Sequence, residues 1–230
     1  DRHGVDGTDT LTNIGLVRFA DIALDVSMLG KAAALEVPLL NNLTQMYIAY
    51  FNRAPDALGL EYWAGRLLDG MALNEIARSF FVQPEGLSTY PANQATSDFV
   101  SLVYANILNR APDPLGLAYW IDALDSGRVV RDEFMLAMIY GARAATGAEQ
   151  DVALLDNKGA AGAYFALEQG LNNGEWASRV MALVTVERSS VVEANALSDA
   201  YGDIVSKAMD SQLVVKIVGL ADKMGDHSIL

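Results

Sequence analysis

Two segments of this chain, 57 residues apart, carry nearly the same sequence. Tyr47 to Trp63 reads YIAYFNRAPDALGLEYW and Tyr104 to Trp120 reads YANILNRAPDPLGLAYW, with 11 of 17 aligned positions identical. Self-similarity of this kind indicates one structural unit that is used twice. The chain is therefore expected to contain an internal repeat.

The apolar residues of each copy follow a helical period. Leu43, Met46, Tyr47, Tyr50 and Phe51 fall at i, i+3, i+4, i+7 and i+8, and the same relative positions from residue 100 onward are also apolar. That spacing places one apolar stripe on a helix. Each copy is predicted to form a helix, a tight loop and a second helix, followed by a third helix.

The residues between the two helices predict a sharp, fixed turn. The set is Arg53, Asp56, Gly59 and Trp63 in the first copy, and Arg110, Asp113, Gly116 and Trp120 in the second. Prolines before the aspartates should end the first helix, and the aspartates should cap the second. Each arginine is expected to pair with its aspartate or with carbonyls that end the first helix. The glycines would allow close backbone approach, and the aromatic residues would fill the groove between helices.

The aromatic pairs of the two copies admit a second interpretation. Tyr62 and Trp63, with Tyr119 and Trp120, could form platforms on which sugar rings stack. Aromatic residues at helical spacing beside leucine are more often part of a core, so the structural interpretation is favoured.

Three regions are predicted. Residues 1–30 form a turn-rich preface with two short alternating stretches typical of β-strands, residues 31–145 hold the two repeats, and residues 146–230 form further helices. The fold class is thus mainly α, a helical repeat bundle with a small N-terminal β preface. A worn third copy is a further hypothesis, because Asn157 and Lys158 are followed by Gly159 and a Tyr164–Phe165 pair, although the Pro-Asp is lost.

Composition excludes several classes of protein. There are 29 acidic residues against 16 basic ones, for a net charge of −13, which disfavours binding to nucleic acid or to an anionic membrane. Without cysteine, no disulfide, thiolate metal site or cysteine nucleophile is possible. The only histidines, His3 and His227, lie near opposite ends, and zinc-protease, serine-hydrolase and phosphate-loop motifs are absent from the sequence. The sequence therefore predicts that the protein is not an enzyme, and no apolar run is long enough to predict a membrane span.

Calcium is the one cofactor that the preface suggests. Asp1, Asp6, Asp9 and Asn13 supply closely spaced oxygens of the kind that calcium prefers. Their spacing does not match an EF-hand, and a polar turn with side-chain to backbone hydrogen bonds explains them equally well.

The repeated Asn-Arg-Ala-Pro-Asp-x-x-Gly-Leu-x-Tyr-Trp segments resemble the family known as domain of unknown function 4214, over residues 42–145. That resemblance implies an all-helical repeat module found in secreted and surface-layer proteins of bacteria. The pattern is also similar to the helical linker domains of phycobilisomes. Residues 6–21 resemble the segment that often follows repeats-in-toxin (RTX) calcium-binding arrays, although no such nonapeptide occurs in this chain. The second resemblance implies type I secretion, which needs no N-terminal signal peptide.

These observations lead to one functional expectation and one alternative. We expect a non-catalytic module of an extracellular or cell-surface bacterial protein, acting in surface assembly or adhesion through contacts with a glycan or another surface protein. The alternative is a carbohydrate-active protein, either an accessory sugar-binding domain or an unrecognised polysaccharide lyase or hydrolase. The chain begins at Asp1 within a polar run, which indicates a piece of a longer protein. The sequence leaves the oligomeric state open.

Overall fold

A computed structural model of the chain describes residues 16–18, 23–25, 29–144 and 147–208. Over these residues the protein is mainly helical, which confirms the predicted class. The helices are α1 (Lys31–Ala34), α2 (Val37–Phe51), α3 (Ala57–Leu68), α4 (Leu73–Phe81), α5 (Pro84–Thr89), α6 (Thr96–Leu108), α7 (Pro114–Asp125), α8 (Phe134–Ala142), α9 (Glu149–Ala163), α10 (Gly174–Leu183) and α11 (Ser189–Ala208). A 3₁₀ turn, Arg131–Glu133, precedes α8, and a π-helical segment, Tyr164–Glu168, continues α9.

Two short strands lie within the predicted preface. Strand β1 (Leu16–Arg18) pairs antiparallel with β2 (Ala23–Asp25), with Val17 opposite Leu24. Residues 1–15, 19–22 and 26–28 lie outside the described residues. A β preface that spans residues 1–30 therefore stays a prediction.

Asparagine ends the first helix of each copy. Helices α2 and α6 stop at Phe51 and Leu108, and the next residues, Asn52 and Asn109, adopt left-handed backbone with φ of 49° and 52°. Asparagine tolerates this conformation better than most side chains do, so it can turn the chain at a helix end. The prolines were expected to stop these helices, but both helices end several residues before them.

The second helix of each copy has a matching beginning and end. Asp56 and Asp113 are the N-caps of α3 and α7, and their carboxylates accept hydrogen bonds from backbone N–H groups of the first turn. Gly70 and Gly127 follow the C-caps with φ of 95° and 73°. A positive φ just past a helix end is the position where glycine is preferred.

The core is continuous from the repeats into the later helices. One cluster centres on the fully buried rings of Tyr50, Phe80, Phe99 and Phe134, and it includes α9 residues such as Leu155. A second cluster joins Ile48 and Ala54 from the first copy to α9, α10 and α11. The two copies are thus packed on each other and against α9 rather than stacked as a free-ended array.

Small residues allow α9 to approach α2 closely. A Cβ atom on Gly162 would lie 2.9 Å from Ile48 Cδ1, and one on Gly159 would lie 3.3 Å from Gln45 Nε2. Gln45 also donates to the carbonyl of Leu155 at 3.2 Å. Any larger side chain at these glycines would push the two helices apart.

The hypothesis of a third motif copy is wrong. Asn157 and Lys158 lie in the middle of the continuous helix α9, where the two true copies have a turn. Helical hydrogen bonding continues through this point to Ala163. Lys158 instead has a different structural role, described below.

Candidate functional site

Arg53 organises the turn of the first copy. Its Nη1 donates to the carbonyl of Ala54 at 3.1 Å and to Asp56 Oδ2 at 3.4 Å. Its Nε and Nη2 make a two-pronged pair with Glu85, at 2.7 and 3.0 Å. Bidentate arginine–carboxylate pairs fix direction as well as distance. The arginine therefore ties the turn to α5.

Tyr47 of α2 also stabilises this turn. Its hydroxyl donates to Asp56 Oδ2 at 2.6 Å, and the Arg53 guanidinium lies 5.3 Å from the centre of its ring. Burial, reinforced by the Asp56 carboxylate, raises the pKa of Tyr47 far above its ordinary value. The hydroxyl therefore stays protonated and remains a hydrogen-bond donor.

Arg110 forms the equivalent turn with a different partner. Its Nη1 donates to the carbonyl of Ala111 at 3.1 Å, while Nε and Nη2 pair with Asp151 of α9 at 2.9 and 2.7 Å. Asp113 caps α7 by accepting from Leu115 N at 3.1 Å and Gly116 N at 2.9 Å. These backbone bonds, with Gly116 first, lower the pKa of the Asp113 carboxyl.

Glu85 and Asp151 are the residues that sequence reasoning missed. They lie 32 and 41 residues after their arginines, outside the repeated motif. The sequence predicts that each arginine pairs with the aspartate of its own motif or with carbonyls that end the first helix. Arg53 donates to Asp56 and to the Ala54 carbonyl of the turn, and Arg110 donates to the Ala111 carbonyl. No local spacing points to the distant acids, because tertiary packing alone brings them to the turns.

Glycine is required in both turns by the close approach of side chains. A Cβ atom on Gly59 would lie 2.6 Å from the Tyr47 hydroxyl and 2.7 Å from Asp56 Oδ1. A Cβ on Gly116 would lie 3.0 Å from both the Tyr104 hydroxyl and Asp113 Oδ2. The first turn is therefore more tightly packed than the second.

The tryptophans of the motif are half-buried between helices. Trp63 packs edge-to-face on Phe80, and Trp120 does the same on Phe134, with ring centres 5.1 and 5.2 Å apart. Trp120 also donates through Nε1 to the Tyr104 hydroxyl at 3.2 Å. Both rings therefore contribute to the core, and each keeps some exposed surface.

Tyr62 and Tyr119 point outward. Their exposed fractions are 49% and 56%, and the leucines one turn earlier, Leu58 and Leu115, are 50% and 83% exposed. Residues four apart lie on one face of a helix. Each copy thus presents an exposed leucine–tyrosine pair at the same relative position.

A cleft of about 350 Å³ opens beside Trp63. It lies where α2, α3, α4 and α5 meet, and its lining consists of Tyr47, Phe51, Trp63, Phe80, Gln83, Pro84 and Glu85. The aromatic residues form the floor, with Trp63 the least buried of the four, while the last three residues are exposed at the rim. The cleft is open to solvent, and its accessible lining is a mixture of polar and apolar surface.

Lys158 is buried in α9, with only 4% of its surface exposed. Its Nζ donates to the carbonyls of Asn106 and Ile107 at 2.7 and 3.1 Å and to Asn109 Oδ1 at 2.8 Å. These acceptors lie at the C-terminal end of α6, where a positive charge is favourable. Burial lowers the pKa of Lys158 to about 8. Lys158 of α9 therefore caps the C-terminal end of α6.

The residues predicted to bind calcium, Asp1, Asp6, Asp9 and Asn13, lie outside the described residues. Within the described residues, no group of three or more acidic or histidine side chains is placed to hold a metal ion. None of the helices in the described segments is long and apolar enough to cross a membrane.

Comparison with known proteins gives one family match. Residues 77–145, which contain the whole second copy, match the family described as Domain of unknown function (DUF4214). Neither the curated proteins nor the solved structures contain a match to this chain. The chain is therefore similar to that family over the part from α4 to the end of α8.

Proposed function

We propose that this protein is a non-catalytic contact module of a secreted or cell-surface bacterial protein, acting in surface assembly or adhesion. The observation that carries the proposal is the pair of exposed leucine–tyrosine surfaces at equivalent positions on α3 and α7. Two like surfaces on one rigid body can engage a repeated partner, and simultaneous engagement raises the overall affinity.

The roles of the polar motif residues support a contact function rather than chemistry. Arg53, Asp56 and Tyr47 bond to one another or to neighbouring helices, and Arg110 and Asp113 are used in the same way. Groups committed to holding a turn are not free to bind or activate a substrate. The outward-facing tyrosines of each copy touch the adjacent tryptophan only by an edge contact, and about half of each side chain is exposed and available to a partner.

Secretion is supported by the resemblance of residues 6–21 to the segment after RTX arrays, and by composition. A net charge of −13 and the absence of cysteine suit an exterior that contains divalent cations. Type I secretion and a calcium ion held by the preface belong to the same proposal. Antibody labelling of intact source cells and of their medium tests the location, and label confined to broken cells would contradict it.

Calcium is tested by melting the full chain with and without a chelator. Binding to the native state alone raises the free energy of unfolding by RT ln(1 + L/Kd), where L is the free ligand concentration, and the melting temperature rises with it. An unchanged midpoint at millimolar calcium would remove the metal from the proposal, while the contact role would stand.

The contact role is tested by retention of the labelled chain on the envelope of its source cells. Replacing Leu58 and Tyr62 by serine, or Leu115 and Tyr119 by serine, should each weaken retention, and the fourfold variant should abolish it. Val82→Ser is the matched control, because Val82 is 63% exposed and lies outside both pairs. Equal retention of all variants would contradict the proposal.

The second candidate function is carbohydrate binding or processing, and the cleft beside Trp63 favours it. Incubating the chain with surface polysaccharides and measuring new reducing ends distinguishes carbohydrate cleavage from carbohydrate binding alone. Turnover would overturn the non-catalytic proposal. Binding without turnover would make the cleft an accessory sugar site.

A further inference from the structure

We propose that the cleft beside Trp63 binds one neutral sugar ring, and that the second motif copy has no equivalent site. The inference deepens the carbohydrate alternative above and uses Trp63 and the rim residues rather than Leu58 and Tyr62, although the Tyr62 ring contacts the Trp63 ring at 5.0 Å. A volume of about 350 Å³ is at the lower end for small-molecule sites, so the ligand is a single ring rather than an extended chain.

The floor of the cleft offers one accessible aromatic ring. Phe80 is fully buried, makes edge contacts with Tyr47 and Trp63 at a ring-centre distance of 5.1 Å, and packs at a tilt on Phe51 at 4.9 Å. Tyr47 and Phe51 are 5% and 9% exposed, so Trp63 is the ring that remains accessible. The flat C–H surface of a pyranose can pack on this one exposed indole. An aromatic cage for a quaternary ammonium ion would need several ring faces turned towards one point.

The rim supplies hydrogen-bonding groups next to that face. Gln83 brings an amide that already donates to the Ser79 carbonyl at 3.3 Å, and Glu85 a carboxylate that already accepts from Arg53, so a ligand would use their remaining hydrogen-bonding capacity; Pro84 adds apolar surface between them. Hydroxyl groups can donate to the carboxylate and the amide oxygen and accept from the amide N–H. The combination of one ring face with planar polar groups is complementary to a polyhydroxylated ring.

The charges at the cleft determine which sugars are accepted. Arg53 is the adjacent cation, and its N–H groups are already directed to Glu85, Asp56 and the Ala54 carbonyl. One positive and two negative charges leave a net negative site. A uronic acid would bring a further negative charge to a net negative site, so neutral sugars should be preferred.

The second copy differs at the positions that build the cleft. Leu108 stands where the first copy has Phe51. On the opposite side, a Cβ on Gly141 of α8 would lie only 3.2 Å from Trp120 Cζ2, so α8 backbone packs directly against this indole. Beside Trp63, the corresponding segment at Gln83 and Pro84 does not fill this space, and the cleft lies there. Trp120 therefore serves as an internal control for ligand binding at Trp63.

The test is fluorine NMR of the full chain labelled with 5-fluorotryptophan, which gives one resonance for each of its three tryptophans. The probes are methyl glycosides of neutral hexoses and N-acetylhexosamines, a methyl glucuronide and choline. We expect a neutral glycoside to shift the Trp63 resonance and to leave that of Trp120 unchanged. The resonances are assigned with Trp63→Phe and Trp120→Phe.

Two variants make the result decisive. Trp63→Phe should weaken the neutral glycoside about tenfold, whereas Trp120→Phe should leave its affinity unchanged. Glu85→Gln releases Arg53 from its bidentate pair, so it should reduce the discrimination against the glucuronide. Circular dichroism melts establish that each variant is folded.

Several outcomes would overturn the inference. These are no shift with any neutral glycoside, equal shifts at Trp63 and Trp120, a shift with choline alone, or a preference for the glucuronide in the unaltered chain. None of them bears on retention through the leucine–tyrosine surfaces, so failure of the cleft and failure of the contact proposal are distinguishable.

Discussion

The two motif copies have the same turn geometry but are held in place by different neighbours. In the first copy, the backbone around the turn bonds to the segment before and within α10, through Ala57 N to Leu171 O and Ala54 N to Ala177 O. In the second copy, side chains of α9 hold the turn: Asp151 pairs with Arg110, and Lys158 donates to carbonyls at the C-terminal end of α6. A motif can thus specify its own local shape while its attachment is left to surrounding sequence.

This difference leaves the first copy with more freedom to carry a ligand site. Its arginine pairs with Glu85, which is exposed at the edge of the cleft, and its tryptophan faces open space. The arginine of the second copy pairs with Asp151, whose side chain is only 9% exposed. The carboxylate that holds the arginine is therefore more buried in the second copy, although the arginine itself and the second helix are more buried in the first, and the predictions below test this ranking of the two arginine pairs.

The largest effect is expected at Lys158. Lys158→Met removes the donor for three oxygens at the end of α6 and should lower the free energy of unfolding by about 3 kcal/mol. Chemical denaturation measures the loss. Lys207→Met is the control, because Lys207 is exposed and should change stability by less than about 0.5 kcal/mol. A loss no larger than in the control would show that the second copy does not depend on this cap.

The same lysine predicts a pH dependence. Its folded pKa of about 8 lies below its unfolded value, so the unfolded chain binds more protons between these pKa values. Stability should therefore rise with pH above about 8, by up to about 1.4 kcal/mol per unit relative to Lys158→Met. The comparison of the two proteins at several pH values cancels the other titrating groups, and a constant difference would contradict the prediction.

Alanine at the motif glycines should separate the two turns. Gly59→Ala places a methyl group 2.6 Å from the Tyr47 hydroxyl and should cost about 2 kcal/mol, because the Tyr47–Asp56 bond must break or shift. Gly116→Ala meets its nearest atoms at 3.0 Å and should cost about 1 kcal/mol. Equal melting temperatures for the two variants would mean that the turns are packed alike.

The coupling energy of the arginine–carboxylate pair should be larger in the second copy, whereas the cost of replacing the motif glycine should be larger in the first. A double-mutant cycle with Arg110→Met and Asp151→Asn should give a coupling of about 1.5 kcal/mol, because the buried carboxylate cannot regain water when its partner is lost. The cycle with Arg53→Met and Glu85→Gln should give less than about 1 kcal/mol, since Glu85 is 44% exposed. A stronger coupling in the first copy would reverse the proposed ranking.

Local rules predicted the motif better than its surroundings. The capping aspartates could be predicted from the sequence, because a cap bonds to backbone groups only a few residues away. The partners of the arginines could not, since Glu85 and Asp151 reach the turns only through packing. Lys158 was misinterpreted for the same reason: beside Asn157 it resembles a motif arginine, although its contacts are with a helix some 50 residues away.

The smallest effect is expected where the two copies are most alike on the surface. Tyr62→Ser and Tyr119→Ser should each change the free energy of unfolding by less than about 0.5 kcal/mol, because both rings are half exposed. A clear loss of envelope retention at unchanged stability would assign these side chains to binding. A loss of stability at Tyr119 alone would instead give weight to the Arg128 guanidinium, which lies 5.6 Å from the centre of its ring. That outcome would make the second surface part of the fold and leave contact to the first copy.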